Sequence, residues 1–194
     1  MFIDYLTLIM INMVAGTALL AYYLWKGMDE QDQRPYAAIF SMLGLMAIVT
    51  GLHMAFTWPL PGSYNIAFGE ATALFGVVFL ATGIALSQGW SLVPTAIYAF
   101  FAGVDAILVG ARIINLGLTK EPIMSAIGFI LSGLGGVASA PFFMWFKNNR
   151  TVRMLGVLLL VVTAALWAFT FYGSLWGHLE AFGKWVPATM GGGQ

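Results

Sequence analysis

The chain contains no cysteine. Disulfides, thiolate metal sites and cysteine nucleophiles are therefore ruled out, and cysteine usage reveals nothing about redox compartment. Histidine is almost as scarce: His53 and His178 are the two imidazoles available for any metal or haem. Charge is the third shortage. Eight Lys plus Arg and eight Asp plus Glu among 194 residues make 8% charged, with a formal net charge of zero. An average soluble domain carries about 25%, so this chain cannot cover a water-facing surface. That excludes a soluble enzyme, a disordered tail and a nucleic-acid binder with a basic face. Zinc spacing of the HExxH type, a phosphate-binding GxxxxGK[ST] loop and a GxSxG nucleophile elbow are all missing.

What the chain has instead is 60% hydrophobic and 15% aromatic residues. A helix crosses about 30 Å of hydrocarbon with about 20 mostly apolar residues. Stretches of that kind run over Tyr5 to Trp25, Ala37 to Trp58, Ile66 to Ser87, Leu92 to Gly117, Ile123 to Phe146 and Met154 to Trp176. The fold class expected is an all-α integral membrane protein, a six-helix bundle over residues 1–176. Residues 177–194 form a tail in which Leu179, Phe182, Trp185 and Val186, beside Glu180 and Lys184, suggest a short interfacial helix or a plain exit. The breaks between spans carry turn chemistry, among them Pro59-Leu60-Pro61-Gly62 and Gln88-Gly89-Trp90-Ser91. Such short loops make neighbouring helices antiparallel. With the N-terminus outside, Lys26, Arg34, Lys147, Arg150 and Arg153 fall on the inner side and Lys120 and Lys184 on the outer. Cytoplasmic enrichment of Lys and Arg then favours both termini outside. Asp4 stands where a signal peptide carries positive charge, so the first span is expected to remain in the mature protein.

Small residues predict helix packing. Gly128, Ser132, Gly136 and Ala140 recur at i+4 in the fifth span, and Gly103, Gly110 and Gly117 at i+7 in the fourth. Trp25, Trp58, Trp90, Trp145 and Trp176 fall near span ends, as interfacial anchors do.

Four ionisable residues lie inside the spans: His53, Glu70, Asp105 and Arg112. An Asp or Arg at a helix centre costs about 2.5–3.5 kcal/mol on the insertion scale, and such residues usually face the bundle interior and mark a functional path. At about 1.5 Å per residue, His53, Glu70 and Arg112 all come about 6–8 Å below the outer end of their spans. Asp105 lies about 10 Å deeper than Arg112, with no cation at its own depth. The natural expectation is a Glu70–Arg112 ion pair with His53 hydrogen-bonded to Glu70. Asn65, Ser63, Tyr64, Thr57, Thr72 and Asn115 surround it near the outer face. This group would be a ligand or ion site, a structural network that fixes register, or a membrane-embedded catalytic centre.

The segment Trp58-Pro59-Leu60-Pro61-Gly62-Ser63-Tyr64-Asn65-Ile66-Ala67-Phe68-Gly69-Glu70, with His53 before it, resembles an uncharacterised prokaryotic family of small multi-pass membrane proteins, a domain of unknown function. The resemblance implies a polytopic bacterial or archaeal membrane protein and brings no activity with it.

Three functions remain open. One is a pocket of His53, Glu70, Asp105, Arg112 and Asn65 that binds a small ligand or ion, in transport or as a subunit of a larger membrane complex. The second is a redox subunit holding haem b or a quinone; haem would be ligated by His53 and His178, with Met10 and Met13 as alternative ligands. The third is a purely structural subunit. The partners expected are the lipid bilayer, other membrane subunits or further copies of the chain. The location expected is a prokaryotic plasma membrane.

Overall fold

The computed structural model describes residues 4–184. Among these, six helices are long and apolar enough to cross a membrane. They are α1 (Tyr5–Trp25), α2 (Arg34–Thr57), α3 (Ala71–Gln88), α4 (Val93–Leu116), α5 (Pro122–Pro141) and α6 (Arg150–Ala181). A π-helical turn, Asn65–Glu70, leads into α3, and a second, Phe142–Phe146, follows α5. The expected spans all form. The last one runs further than expected, because α6 continues unbroken through residue 181 rather than ending at Trp176. Residues 177–181 are thus its final turn. Trp185, Val186 and the terminal glycines lie outside the described residues.

The helix ends follow from local chemistry. Proline occupies the first turns of α2, α4 and α5, where its missing N–H costs nothing. Asp4 caps α1 by accepting from Thr7 N, and Asn149 caps α6 by accepting from Thr151 N and Val152 N. Gly89 and Gly117 end α3 and α4 in the left-handed conformation, with φ of 67° and 57°. Gly117 is therefore a stop signal, not the third member of a packing stripe.

Contacts run in a closed cycle from α1 to α6 and back, with α2–α3, α4–α5 and α1–α6 as the closest pairs. Two of these pairs are locked by residues without bulk at seven-residue spacing. Ala37, Gly44 and Gly51 of α2 meet Gly83, Gly76 and Gly69 of the antiparallel neighbour, where an added Cβ would strike backbone atoms. In the same way Gly103 and Gly110 of α4 face Gly133 and Ala126 of α5, and Ser139 Oγ donates to Ala96 O across the pair at 2.9 Å. The expected i+4 stripe on α5 divides accordingly. Gly136 faces α4, whereas Gly128 and Ser132 face Trp167 of α6.

Two buried cores hold the bundle. One, around Met54, Phe68, Ile113, Phe129 and Trp167, lies toward the end that carries Asp4 and Ala181, the terminal end. The other, around Tyr23, Phe40, Phe79 and Phe142, lies toward the opposite, basic end. That basic end is tied together by polar contacts. Arg153 donates to both carboxylate oxygens of Asp29 at 2.6 and 2.8 Å, and Tyr36 Oη donates to Glu30 at 2.8 Å. The Arg153 guanidinium holds the Asp29 carboxyl below its ordinary value, and Arg34 does the same for Asp32. Trp25, Trp58, Trp90, Trp145 and Trp176 are all exposed, as residues at the ends of an apolar bundle should be.

Candidate functional site

The four ionisable residues of the apolar helices do not gather in a pocket. Glu70, Arg112 and His53 are exposed on the outside of the bundle, and Asp105 is half-buried on α4. Among the described residues the ion pairs are Asp32–Arg34, Asp29–Arg153 and Asp4–His178; Glu70 and Arg112 do not pair with each other. His53 is engaged by its own helix, with Thr57 Oγ1 3.3 Å from its Nδ1 and donating to its carbonyl at 2.7 Å. The expected buried Glu70–Arg112–His53 network is thus corrected to an outward placement.

The cause is azimuth. A helix turns about 100° per residue, so a residue two positions beyond another points about 200° away. Asp105 and Arg112 follow Gly103 and Gly110 by two, and His53 follows Gly51 by two. Aiming those glycines at the neighbouring helix drives the polar side chains to the far side. Equal depth did not bring them together, because depth and azimuth are independent.

Asn65 is also reassigned. It is fully buried, and its amide clamps the loop before it. Nδ2 donates to Leu60 O at 2.5 Å and to Gly62 O at 3.2 Å, while Oδ1 accepts from Leu60 N at 3.0 Å. Both of its N–H groups and its carbonyl oxygen serve the Pro59–Gly62 turn, so Asn65 positions that loop.

Two cavities lie elsewhere. The first, about 180 Å³, runs through the middle of the bundle between α1, α3, α4, α5 and α6. Its wall is overwhelmingly apolar, with Phe75 and Phe79 on one side and a floor of small residues, Ala99, Ala102, Gly103 and Gly135, on the other. Its hydroxyls are largely occupied within their own helices: Thr17 donates to Met13 O at 2.7 Å and Thr82 to Val78 O at 2.8 Å. The second, about 290 Å³, sits at the terminal end under the loops 60–64 and 119–121. It is edged by Lys120, Glu121, Ser125, Thr170, Ser174 and His178. His178 Nδ1 is 2.9 Å from Asp4 Oδ2, joining the two ends of the described chain.

Met10, Phe68, Trp167 and Phe171 belong to the walls of both cavities and form the partition between them. The aromatic members are packed edge to face and in stacks. Phe68 meets Phe129 at 5.4 Å, Phe129 meets Trp167 at 5.6 Å, and Trp167 stacks on Phe171 at 4.4 Å. Trp167 is fixed by a hydrogen bond from Nε1 to Ser132 Oγ at 2.9 Å, with its ring laid against Gly128. Sequence reasoning missed this partition. The available signal was that Trp167 stands in mid-span, away from the ends where the anchoring tryptophans fall.

The two histidines do not fit haem. His178 lines the second cavity, while His53 lies on the exposed side of α2 and in the wall of neither cavity. Met10 shares the second cavity with His178, and Met13 lines the first. A quinone asks for less, a polar group beside an aromatic wall, and the second cavity supplies that with His178, Trp167 and Phe171.

The chain belongs to the family described as a protein of unknown function (DUF981), whose model matches residues 1–181. No curated protein and no solved structure matches it.

Proposed function

We propose that this chain is a non-enzymatic binding protein of a prokaryotic plasma membrane, with both termini outside, that holds a single-chain amphiphile. The apolar tail lies in the central cavity and a small polar head in the outer one. The observation that carries this reading is the stacking of the two cavities on one shared partition, Met10, Phe68, Trp167 and Phe171. Apolar cavities of about 150 Å³ take up apolar ligands, and the central cavity is of that order and has an apolar wall. The edge of hydroxyls, Lys120, Glu121 and His178 suits a head that both donates and accepts hydrogen bonds. At the basic end the path is closed by the Tyr23, Tyr36 and Phe40 cluster, which supports binding over a through-pore.

The test uses a long-chain fatty acid with a diazirine near its methyl end, added to the protein in nanodiscs. Photolabel is expected on inward residues such as Ala99 and Ala102. Label confined to outward residues such as Phe101 and Leu108 would refute the reading. The pairing of His178 with an aromatic wall favours an isoprenoid quinone within this ligand class. An organic extract of the purified protein whose absorbance changes on borohydride reduction would identify one.

A further inference from the structure

The outward charges need their own account, because they are placed where lipid would otherwise meet them. On α4, Phe101, Asp105, Leu108 and Arg112 follow one another at spacings of four, three and four, which puts them on one stripe. Phe101 and Leu108 are 68% and 61% exposed, so the stripe faces away from the bundle. Asp105 is twelve residues from the start of α4 and eleven from its end, at the middle of the span. Arg112 is four residues from the terminal-side end of α4, and Glu70 closes the π-turn that opens the α3 span. Acid and base therefore stand at the same level of neighbouring helices.

We propose that the outward face of α4, together with Glu70, is an interface between copies of this chain, in which Glu70 of one copy pairs with Arg112 of the next. The occupant follows from geometry and charge. Copies inserted in the same direction associate about an axis along the membrane normal, so each residue meets residues of its own depth. Glu70 and Arg112 are the oppositely charged groups at one depth, and they are exposed and unpaired with each other within one copy. In the same interface Asp105 is withdrawn from lipid, where a polar group has no water to satisfy it. Between them, Phe101 and Leu108 supply the apolar contact area.

The test is charge exchange. Glu70→Arg and Arg112→Glu, made singly, are expected to weaken self-association at least tenfold. The double variant is expected to restore it to within a few-fold of the parent. The readout is single-molecule photobleaching in liposomes across a dilution series of protein in lipid. A parent chain that stays monomeric at every dilution overturns the proposal, as do single variants that associate normally or a double variant that fails to recover. If the single variants do not fold, cross-linking decides in their place. The chain has no cysteine of its own. Phe101→Cys and Leu108→Cys, each made alone and oxidised in the membrane, are expected to form disulfide-linked pairs between like positions, whereas Phe169→Cys on the exposed side of α6 is not. Equal cross-linking from α6 also overturns it.

Discussion

Two glycines on one helix separate close backbone packing from intrinsic helix preference. Gly133 and Gly135 both lie in the interior of α5. Replacing either with alanine gives the helix the same intrinsic gain, about 0.8–1 kcal/mol, so that contribution cancels in the comparison. The surroundings differ. A Cβ on Gly133 would come 2.6 Å from Gly103 O and 3.0 Å from Ile107 N, backbone atoms of α4 that cannot move aside without parting the two helices. A Cβ on Gly135 would meet only Leu160 Cδ2 at 3.7 Å, an ordinary contact. Overpacking of this kind costs about 1–3 kcal/mol. Gly133→Ala is therefore expected to be less stable than Gly135→Ala by about that amount, with Gly135→Ala at or above the parent. Unfolding in mixed micelles, titrated with denaturing detergent, measures the difference directly. Equal stabilities would show that α4 and α5 are not held by backbone contact, and the azimuthal account of Asp105 and Arg112 would fall with it.

Asn65→Leu keeps the volume of the clamp but removes its polar atoms, leaving Leu60 N and O and Gly62 O without their partner. A loss of about 1–3 kcal/mol is expected, with proteolysis appearing in the loop 58–64; an unchanged cleavage pattern would contradict the clamp. At the basic end, the folded Asp29 carboxyl titrates below its unfolded value because Arg153 grips it. Its stabilisation is present above the unfolded value, about 3.9, and is lost as pH falls through the lower folded one. Asp29→Asn is expected to flatten the decline of Tm between neutral and strongly acid pH, and an unaltered Tm profile would dismiss the pair as a contributor.

The spans were legible because hydropathy depends only on composition along the chain, and the bundle contains all six. Their ends were legible where the chemistry is local: proline in first turns, glycine in left-handed stops. The polar site was not. Depth can be counted along a helix, but which way a side chain points depends on which face packs, and here the glycines decide that, not polarity. Gly51, Gly103 and Gly110 each precede a polar residue by two positions, so the outward placement of His53, Asp105 and Arg112 was encoded in the sequence. The cavity partition was harder to foresee. Met10, Phe68, Trp167 and Phe171 come from three segments distant in sequence, and nothing local distinguishes them from ordinary core residues.

The central cavity has a structural origin that bears on its use. Pairs closed by glycine and alanine turn their smallest residues to one another, and the same helices offer little bulk to the middle of the bundle. Aromatic clusters fill both ends, while Ala99, Ala102, Gly103 and Gly135 leave the centre open. An unfilled space of about 180 Å³ leaves the side chains that line it without packing partners on that side. Gly135 offers the means to fill part of it, since its Cβ direction is free of backbone. Gly135→Leu is therefore expected to raise stability through both helix preference and cavity filling, and at the same time to abolish photolabelling of Ala99 and Ala102 by the diazirine fatty acid. Opposite changes in the two measurements are what a binding space held open against stability predicts. A variant that gains stability yet labels as strongly as the parent would show that the void is a packing remainder and not a binding space.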